Sequence, residues 1–255
     1  MLSTNHYFLC HTLGMRRIEL LKSLTFWKRQ FVRFRNPDHH GVSANYISQK
    51  TKLLSSLEEI QTTNFQVVDQ LLKDGFRLSK QIANEMQANA FPDEWNIESK
   101  LASYLYAYVV QKKPKVVVET GVANGFSTRI LMSALELTGG KLHSFDVKKE
   151  CEGVYTGSGD WNFHLVPRKK QKEYFREITS KWEIDFWFHD GDHSYIWQEF
   201  EYKLALSKLA VGGLILSDDI DTSEAWLEFC ERNNLEYECV FDSRKIFGIA
   251  KYKGI

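Results

Sequence analysis

The chain has 255 residues, of which 43% are hydrophobic and 26% are charged. This composition is typical of a globular protein with one large domain or a domain with an extension. Lys and Arg together number 33, equal to Asp and Glu, so the whole chain lacks the basic excess of nucleic-acid-binding proteins. The four cysteines are scattered without a CxxC pair, which disfavours a zinc cluster or disulfide framework and predicts a reducing, cytoplasmic location.

The first 50 residues differ in charge from the rest of the chain. They hold eight Lys and Arg against two acidic residues, and apolar residues spaced three and four apart predict a basic amphipathic helix over 16–35. Three roles remain open for this helix: a lid or dimer element, a peripheral contact with an anionic membrane surface, or a binding element for an acidic acceptor. The longest apolar run, 101–110, is too short to span a membrane.

Further helices are predicted at about 45–60, 63–88 and 95–112, with a boundary at the sequence FPDEW, residues 91–95. We therefore divide the chain into a helical extension, 1–93, and a second domain, 94–255. We expect the extension to serve acceptor recognition or assembly into a homo-oligomer.

Strands and helices alternate beyond residue 112. Strands are predicted at 115–119, 141–146, 162–166, 184–189, 212–217, 236–241 and 246–252, and helices at about 126–138, 170–180, 194–209 and 222–233. Such alternation predicts an α/β, Rossmann-like, doubly wound parallel sheet of seven strands. The short turn between the last two strands predicts an antiparallel hairpin at the edge of the sheet.

The sequence VVVETGVANGFST, which begins at Val116, ends a buried strand and turns directly into a helix. Gly121 and Gly125 allow a tight turn and a close approach to a ligand, and we expect Ser127 and Thr128 to cap the helix. This loop lacks the third glycine of the dinucleotide pattern G-x-G-x-x-G. Glu119 suits a ligand with a positively charged end, which favours S-adenosylmethionine.

Acidic residues follow the next strands. Asp146 ends the second strand, where a carboxylate accepts hydrogen bonds from ribose hydroxyls, although an NAD-binding fold uses such an acid in the same way. Asp190 ends the fourth strand, and Asp218 and Asp219 end the fifth. Because neighbouring strands lie about 4.8 Å apart, we expect these three carboxylates to converge on a divalent cation, Mg²⁺.

Four motifs in order, VVVETGVANGFST, LHSFDV, FHDGDHSY and GGLILSDD, resemble those of class I S-adenosylmethionine-dependent methyltransferases. The similarity covers about 95–252 and is greatest to the metal-dependent branch that includes catechol, sugar and macrolide O-methyltransferases. The resemblance implies an S-adenosylmethionine pocket formed by Glu119, Gly121, Val122, Gly125, Ser127, Asp146 and Asp190, and a metal site formed by Asp190, Asp218 and Asp219. It leaves the contact to adenine unassigned, because the sequence FHLVPRKKQK departs from the family pattern.

The resemblance also implies that His193 occupies the position of the catalytic base, with Asp192 as an alternative base or as the group that orients His193. A histidine of ordinary pKa would make the rate rise through the neutral pH range. The predicted reaction is methyl transfer to a hydroxyl of a small molecule, such as a sugar or glycosylated metabolite. Two rivals are an enzyme of the cephalosporin hydroxylase-like group, whose iron chemistry needs two histidines and a carboxylate, and a non-catalytic binding module.

Overall fold

A computed structural model describes residues 53–86 and 90–254. The predicted basic helix at 16–35 lies outside these residues. The strands are β1 (Leu53–Leu54), β2 (Val116–Thr120), β3 (Lys141–Asp146), β4 (Asp160–Leu165), β5 (Ile184–His189), β6 (Leu209–Ser217), β7 (Glu236–Phe241) and β8 (Ile246–Lys251). The helices are α1 (Leu57–Ile60), α2 (Asp69–Glu85), α3 (Ser99–Lys112), α4 (Phe126–Thr138), α5 (Gln171–Thr179), α6 (Tyr195–Lys208) and α7 (Ala225–Arg232). Short 3₁₀ turns occupy Asp93–Trp95, Lys149–Gly153 and Ile220–Thr222.

The described strands form one mixed sheet in the order β1-β7-β8-β6-β5-β2-β3-β4. Strand β8 runs antiparallel to both of its neighbours, β6 and β7, whereas the other pairs are parallel. The Rossmann-like fold and the closing hairpin are thus confirmed. The sheet has eight strands rather than seven, because residues 53–54, which we expected in a helix, pair with β7 and cover its outer edge.

Successive residues of the central strands enter two different hydrophobic layers, as expected for a parallel sheet that is buried on both faces. Val117 and Phe186 pack with helices α2, α3 and α4 on one face. Val118 and Trp187 pack with α5, α6 and α7 on the other. The sheet is therefore the middle of three layers, and its polar strand ends are free to form a site.

The described part of the predicted extension shares this core. Leu54, Ile60 and Leu72 are buried in the same cluster as Val117 of the central strand, and α2 packs against α3. A boundary at residue 93 therefore does not divide the described residues into two cores. None of the helices in the described part of the chain combines the length and apolar character needed to cross a bilayer.

Candidate active site

A cavity of about 650 Å³ opens where the central parallel strands end. Its wall includes the loop after β2, the ends of β3 and β5, and the turn after β6. The segment 91–97, which precedes α3, contributes a further wall. The site therefore lies beyond the carboxyl ends of the strands, where ligands bind in open α/β sheets.

The loop after β2 is pressed against the end of β5. Gly121 adopts a left-handed backbone with φ of +82°, and a Cβ atom there would lie 2.0 Å from the carbonyl oxygen of Asp190. No side chain fits at that distance, so glycine is required at this position. The turn closes at Gly125, which has a φ of +77° and precedes the first residue of α4.

Asp146 holds this loop from the neighbouring strand. Its Oδ2 atom accepts hydrogen bonds from the backbone N–H groups of Val122 at 2.9 Å and Ala123 at 3.3 Å. Its Oδ1 atom accepts one from the N–H of Lys148 at 2.8 Å. A carboxylate has about four acceptor sites, so Asp146, which lines the cavity, retains capacity for a ligand hydroxyl.

Glu119 lies beneath the cavity and not on its lining. Its side chain is completely buried and accepts hydrogen bonds from the hydroxyls of Ser127 at 2.6 Å, Thr128 at 2.7 Å and Ser144 at 2.6 Å. Burial raises the pKa of Glu119, while the three hydroxyls oppose this shift. The expected capping by Ser127 and Thr128 is wrong, because both hydroxyls donate to Glu119 and neither caps α4.

The predicted pocket residues thus fall into two groups, those that line the cavity and those that support its loop. Gly121, Val122, Ser127, Asp146 and Asp190 line the cavity. Glu119 and Gly125 support the loop from below or behind, through hydrogen bonds and backbone conformation.

Asp190, His193 and Asp219 come together at one end of the cavity. The Nε2 atom of His193 lies 3.6 Å from Oδ1 of Asp190 and 3.7 Å from Oδ2 of Asp219. One potential ligand atom from each side chain lies within 4.8 Å of the others, a spacing that suits a shared metal ion. Burial, followed by the charge of Asp218, raises the pKa of Asp190 well above its usual range.

Asp218, the third predicted ligand, has a different partner. It is 1% exposed, and its Oδ2 atom accepts a hydrogen bond from Nζ of Lys245 at 2.9 Å. The same ammonium lies 2.9 Å from Oδ2 of Asp219. Burial raises the pKa of Asp218 to about 7 even though Lys245 opposes that shift. Burial disfavours the charge of Lys245, but Asp218, Asp219 and Asp190 outweigh this effect and raise its pKa.

His193 is a neutral imidazole in this environment. Its side chain retains 24% exposure, and burial lowers its pKa to about 4 although Asp219 acts in the opposite direction. Its Nδ1 atom is buried without a hydrogen-bond partner among the described residues. Asp192 is exposed at the cavity wall, and its Oδ1 atom accepts a hydrogen bond from the N–H of Ser194 at 2.8 Å.

His189 belongs to a separate buried network behind the cluster. Its Nδ1 atom lies 2.7 Å from Oε2 of Glu201, which also accepts a hydrogen bond from the hydroxyl of Thr120 at 2.6 Å. Trp197 donates to the other oxygen of Glu201. These contacts join α6 to the ends of β2 and β5, and sequence reasoning missed them because their residues are far apart in the chain.

The remaining cavity walls are largely apolar. On the β3–β4 side they include Val147, Val166 and Phe175. On the opposite side, the rings of Phe91 and Trp95 stack with centroids 5.7 Å apart. Asn124 fixes this segment to the glycine loop by two hydrogen bonds with the backbone of Phe91, each 3.0 Å long.

Comparison with known proteins finds similarity to one domain model and to several solved structures. Residues 118–220 match a family model described as a methyltransferase domain. No similar curated protein was found by sequence comparison. The motifs at the ends of β2, β3, β5 and β6 lie within or beside the matched region.

Solved structures with the same fold are distant in sequence. SAH-bound methyltransferase PaMTH1 from Podospora anserina is 13% identical with a TM-score of 0.51, over 77% of this chain and 93% of that one. Cofactor-bound Rv0187 from MTB is 14% identical with a TM-score of 0.51, over 78% and 95%. A candidate O-methyltransferase from Klebsiella pneumoniae is 14% identical with a TM-score of 0.50, over 77% and 95%.

The family match covers the strands that build the cavity, and the sheet order reproduces a Rossmann-like methyltransferase fold. The chain therefore combines a region similar to a methyltransferase domain, residues 118–220, with the Rossmann-like fold of solved methyltransferases.

Proposed function

We propose that this protein transfers a methyl group from S-adenosylmethionine to a hydroxyl oxygen of a small molecule. The observation that supports this most strongly is one continuous cavity that joins the Asp146 loop to the group formed by Asp190, His193 and Asp219. One end suits a nucleoside donor, and the other suits an oxygen acceptor. The O-methyltransferase description of one structural relative agrees with this reaction class.

The donor end has the features that a nucleoside requires. Asp146 accepts a ribose hydroxyl at the acceptor site that the loop does not use. Val147, Val166 and Phe175 provide an apolar wall for adenine, the contact that the sequence left unassigned. S-adenosylmethionine would supply an electrophilic methyl on its sulfonium, and the loop around Gly121, which packs against the backbone of Asp190, would help to hold it.

The acceptor end suits a divalent cation, although with a different residue set from the one predicted. Asp190, Asp219 and His193 line the cavity and offer oxygen and nitrogen atoms at mutually compatible distances. Lys245 contacts both Asp218 and Asp219, but Asp218 is not part of the cavity lining. The nine-tenths-buried carboxylate of Asp190 has no hydrogen-bond donor among the described residues. We propose that Asp190 and Asp219 hold Mg²⁺ or a related ion, which would lower the pKa of the acceptor hydroxyl.

His193 is our proposed proton acceptor. Since its pKa is about 4, the imidazole is neutral near pH 7, and a neutral imidazole takes up a proton whereas an imidazolium does not. Asp219, whose Oδ2 atom lies 3.7 Å from Nε2, favours the imidazolium that forms. Asp192, at the same wall, is the second candidate for this role.

The acceptor itself is proposed to be a hydroxylated ring compound, such as a sugar or glycosylated metabolite. Trp95 is 53% exposed and stacks on Phe91 at the cavity wall. Aromatic faces of this kind pack against the apolar face of a ring. The polar group around His193 then receives the hydroxyls of that ring.

The cephalosporin hydroxylase-like rival finds less support. Its iron chemistry needs two histidines and a carboxylate at one point. His189, the nearest second histidine, directs Nδ1 to Glu201 at 2.7 Å and is completely buried. It is not among the residues grouped with Asp190.

The proposed reaction is tested with S-adenosylmethionine that carries a trideuterated methyl group. The protein and labelled donor are incubated with a metabolite extract, with added MgCl₂ or excess EDTA, and products are identified by mass spectrometry. We expect a labelled ether that requires the protein and loses most of its yield in EDTA. A protein that binds the donor but labels no metabolite in any extract would favour the non-catalytic module.

A further inference from the structure

Lys245 brings a positive charge into the acid cluster from the start of β8, beside the end of β6. It precedes β8, lines the cavity and is 8% exposed. Its Nζ atom lies 2.9 Å from Oδ2 of Asp218 and 2.9 Å from Oδ2 of Asp219. A cation therefore already occupies one side of the group that we propose to hold a metal.

The backbone around Lys245 is built to hold it there. Glu98, at the start of α3, accepts hydrogen bonds from the N–H groups of Ser243 at 2.8 Å, Arg244 at 2.7 Å and Lys245 at 3.3 Å. The side chain of Arg244 also donates to Glu98 at 2.6 Å. The turn between β7 and β8 closes with a hydrogen bond from the N–H of Asp242 to the carbonyl of Lys245 at 2.9 Å. Five hydrogen bonds thus fix this turn, so the backbone that carries the Lys245 ammonium toward the acid cluster is held in place.

We propose that Lys245 is an internal cation that competes with a divalent metal for Asp218 and Asp219 and so sets the metal affinity of the site. This inference rests on the metal assignment of the proposed function. The Asp219 oxygen nearest His193 is also the one that accepts from Lys245. A divalent ion bound at that oxygen is repelled by the neighbouring ammonium.

The competition has a specific chemical consequence. While the ammonium contacts Asp218 and Asp219, a metal takes Asp190 and shares Asp219 with Lys245, with His193 beside them. Without the ammonium, Asp218 loses its partner and can add a carboxylate oxygen next to Asp219, the oxygen-rich ligation that Mg²⁺ prefers. Loss of the lysine charge therefore strengthens Mg²⁺ binding. If the lysine only supported the fold, its loss would weaken Mg²⁺ binding instead.

The experiment is a calorimetric titration of MgCl₂ into protein saturated with S-adenosylhomocysteine. The variants are Lys245→Met, Lys245→Gln and Lys245→Arg, compared with wild type. Gln retains a hydrogen-bond donor for the buried carboxylates, which protects the fold, and Arg retains the charge. We expect at least tenfold tighter Mg²⁺ binding in Met and Gln variants and affinity within threefold of wild type in the Arg variant.

The double variant Asp218→Asn/Lys245→Gln tests whether the increase in Mg²⁺ affinity comes from Asp218. If Asp218 becomes a ligand when the lysine is neutralised, its replacement by Asn removes the gain. Unchanged or weaker Mg²⁺ binding in Lys245→Gln, or no Mg²⁺ binding in any variant, would overturn the proposal. A separate titration of S-adenosylhomocysteine checks each fold, and failure to bind it in wild type would instead contradict the proposed donor site.

Discussion

Oδ1 of Asp190 and Nε2 of His193 are 3.6 Å apart at the end of β5. The chain folds back between them through Gly191 and Asp192, so a strand-end carboxylate and an imidazole three residues later face the same cavity. Because burial keeps this imidazole neutral near pH 7, the pair places a proton acceptor beside a carboxyl oxygen that can bind a cation. That combination suits deprotonation of a hydroxyl beside a cation.

Replacement of His193 by Ala should lower the rate of methyl transfer by about a hundredfold, the usual contribution of a positioned base. Donor affinity should stay near wild type, because Asp146 and the glycine loop are untouched. Single-turnover assays with saturating donor measure the chemical step, and calorimetry measures donor binding.

Asp192→Asn is the matched comparison, since Asp192 lines the same wall but is exposed. A much larger loss of rate in this variant than in His193→Ala would assign the base to Asp192. If neither variant slows the chemical step, the base assignment is wrong.

The low pKa of His193 predicts a pH-dependent difference in stability. Its folded pKa of about 4 lies below the ordinary value near 6.5, so the unfolded chain binds the proton first as the pH falls. Between pH 7 and 5 wild type should therefore lose about 2 kcal/mol more unfolding free energy than His193→Gln. Urea titrations at both pH values measure this difference. Equal losses in the two proteins would contradict the neutral, buried imidazole. The rate of methyl transfer should also lack the rise near an ordinary histidine pKa that the sequence predicted.

Asp190→Asn and Asp219→Asn should each remove nearly all turnover while the donor remains bound. Both residues belong to the proposed metal site, and loss of one carboxylate from so small a ligand set weakens cation binding strongly. Turnover is measured with labelled donor across a MgCl₂ series. Full wild-type activity in excess EDTA would rule out the metal and leave a metal-independent reaction.

Glu119→Ala should destabilise the fold more than it affects any ligand directly. The change leaves the hydroxyls of Ser127, Thr128 and Ser144 without their shared acceptor and opens a cavity. We expect a loss of about 3 kcal/mol in urea unfolding, compared with about 1 kcal/mol for Ser127→Ala. If Glu119→Ala has normal stability but fails to bind the donor, Glu119 contacts the donor directly and our assignment of a supporting role is wrong.

The periodic elements were predictable because their signals are local. Apolar runs bounded by turn residues placed β5 and β7 at the observed bounds, 184–189 and 236–241. The two-residue strand β1 was missed because it carries no periodic pattern and forms only by pairing with β7 across the fold.

The candidate site was predictable to the level of strand ends. Parallel-sheet geometry brings Asp146, Asp190 and Asp219 to one cavity, since each ends or follows a strand. The sequence gives no local sign that Glu119 faces three hydroxyls. Nor does it indicate that Lys245, within an ordinary turn, reaches Asp218, because these contacts depend on how distant segments pack.

The most direct test of the central claim is calorimetric titration of S-adenosylmethionine into wild type, Asp146→Ala and Asp160→Ala. Asp160 is an exposed aspartate at the opposite end of the sheet and serves as the matched control. We predict one donor site per chain in wild type and in the control, with affinity at least tenfold weaker in Asp146→Ala, because each hydrogen bond to a charged acceptor contributes about 1.5–3 kcal/mol. No binding to wild type, or equal affinity in a folded Asp146→Ala protein, would contradict the account.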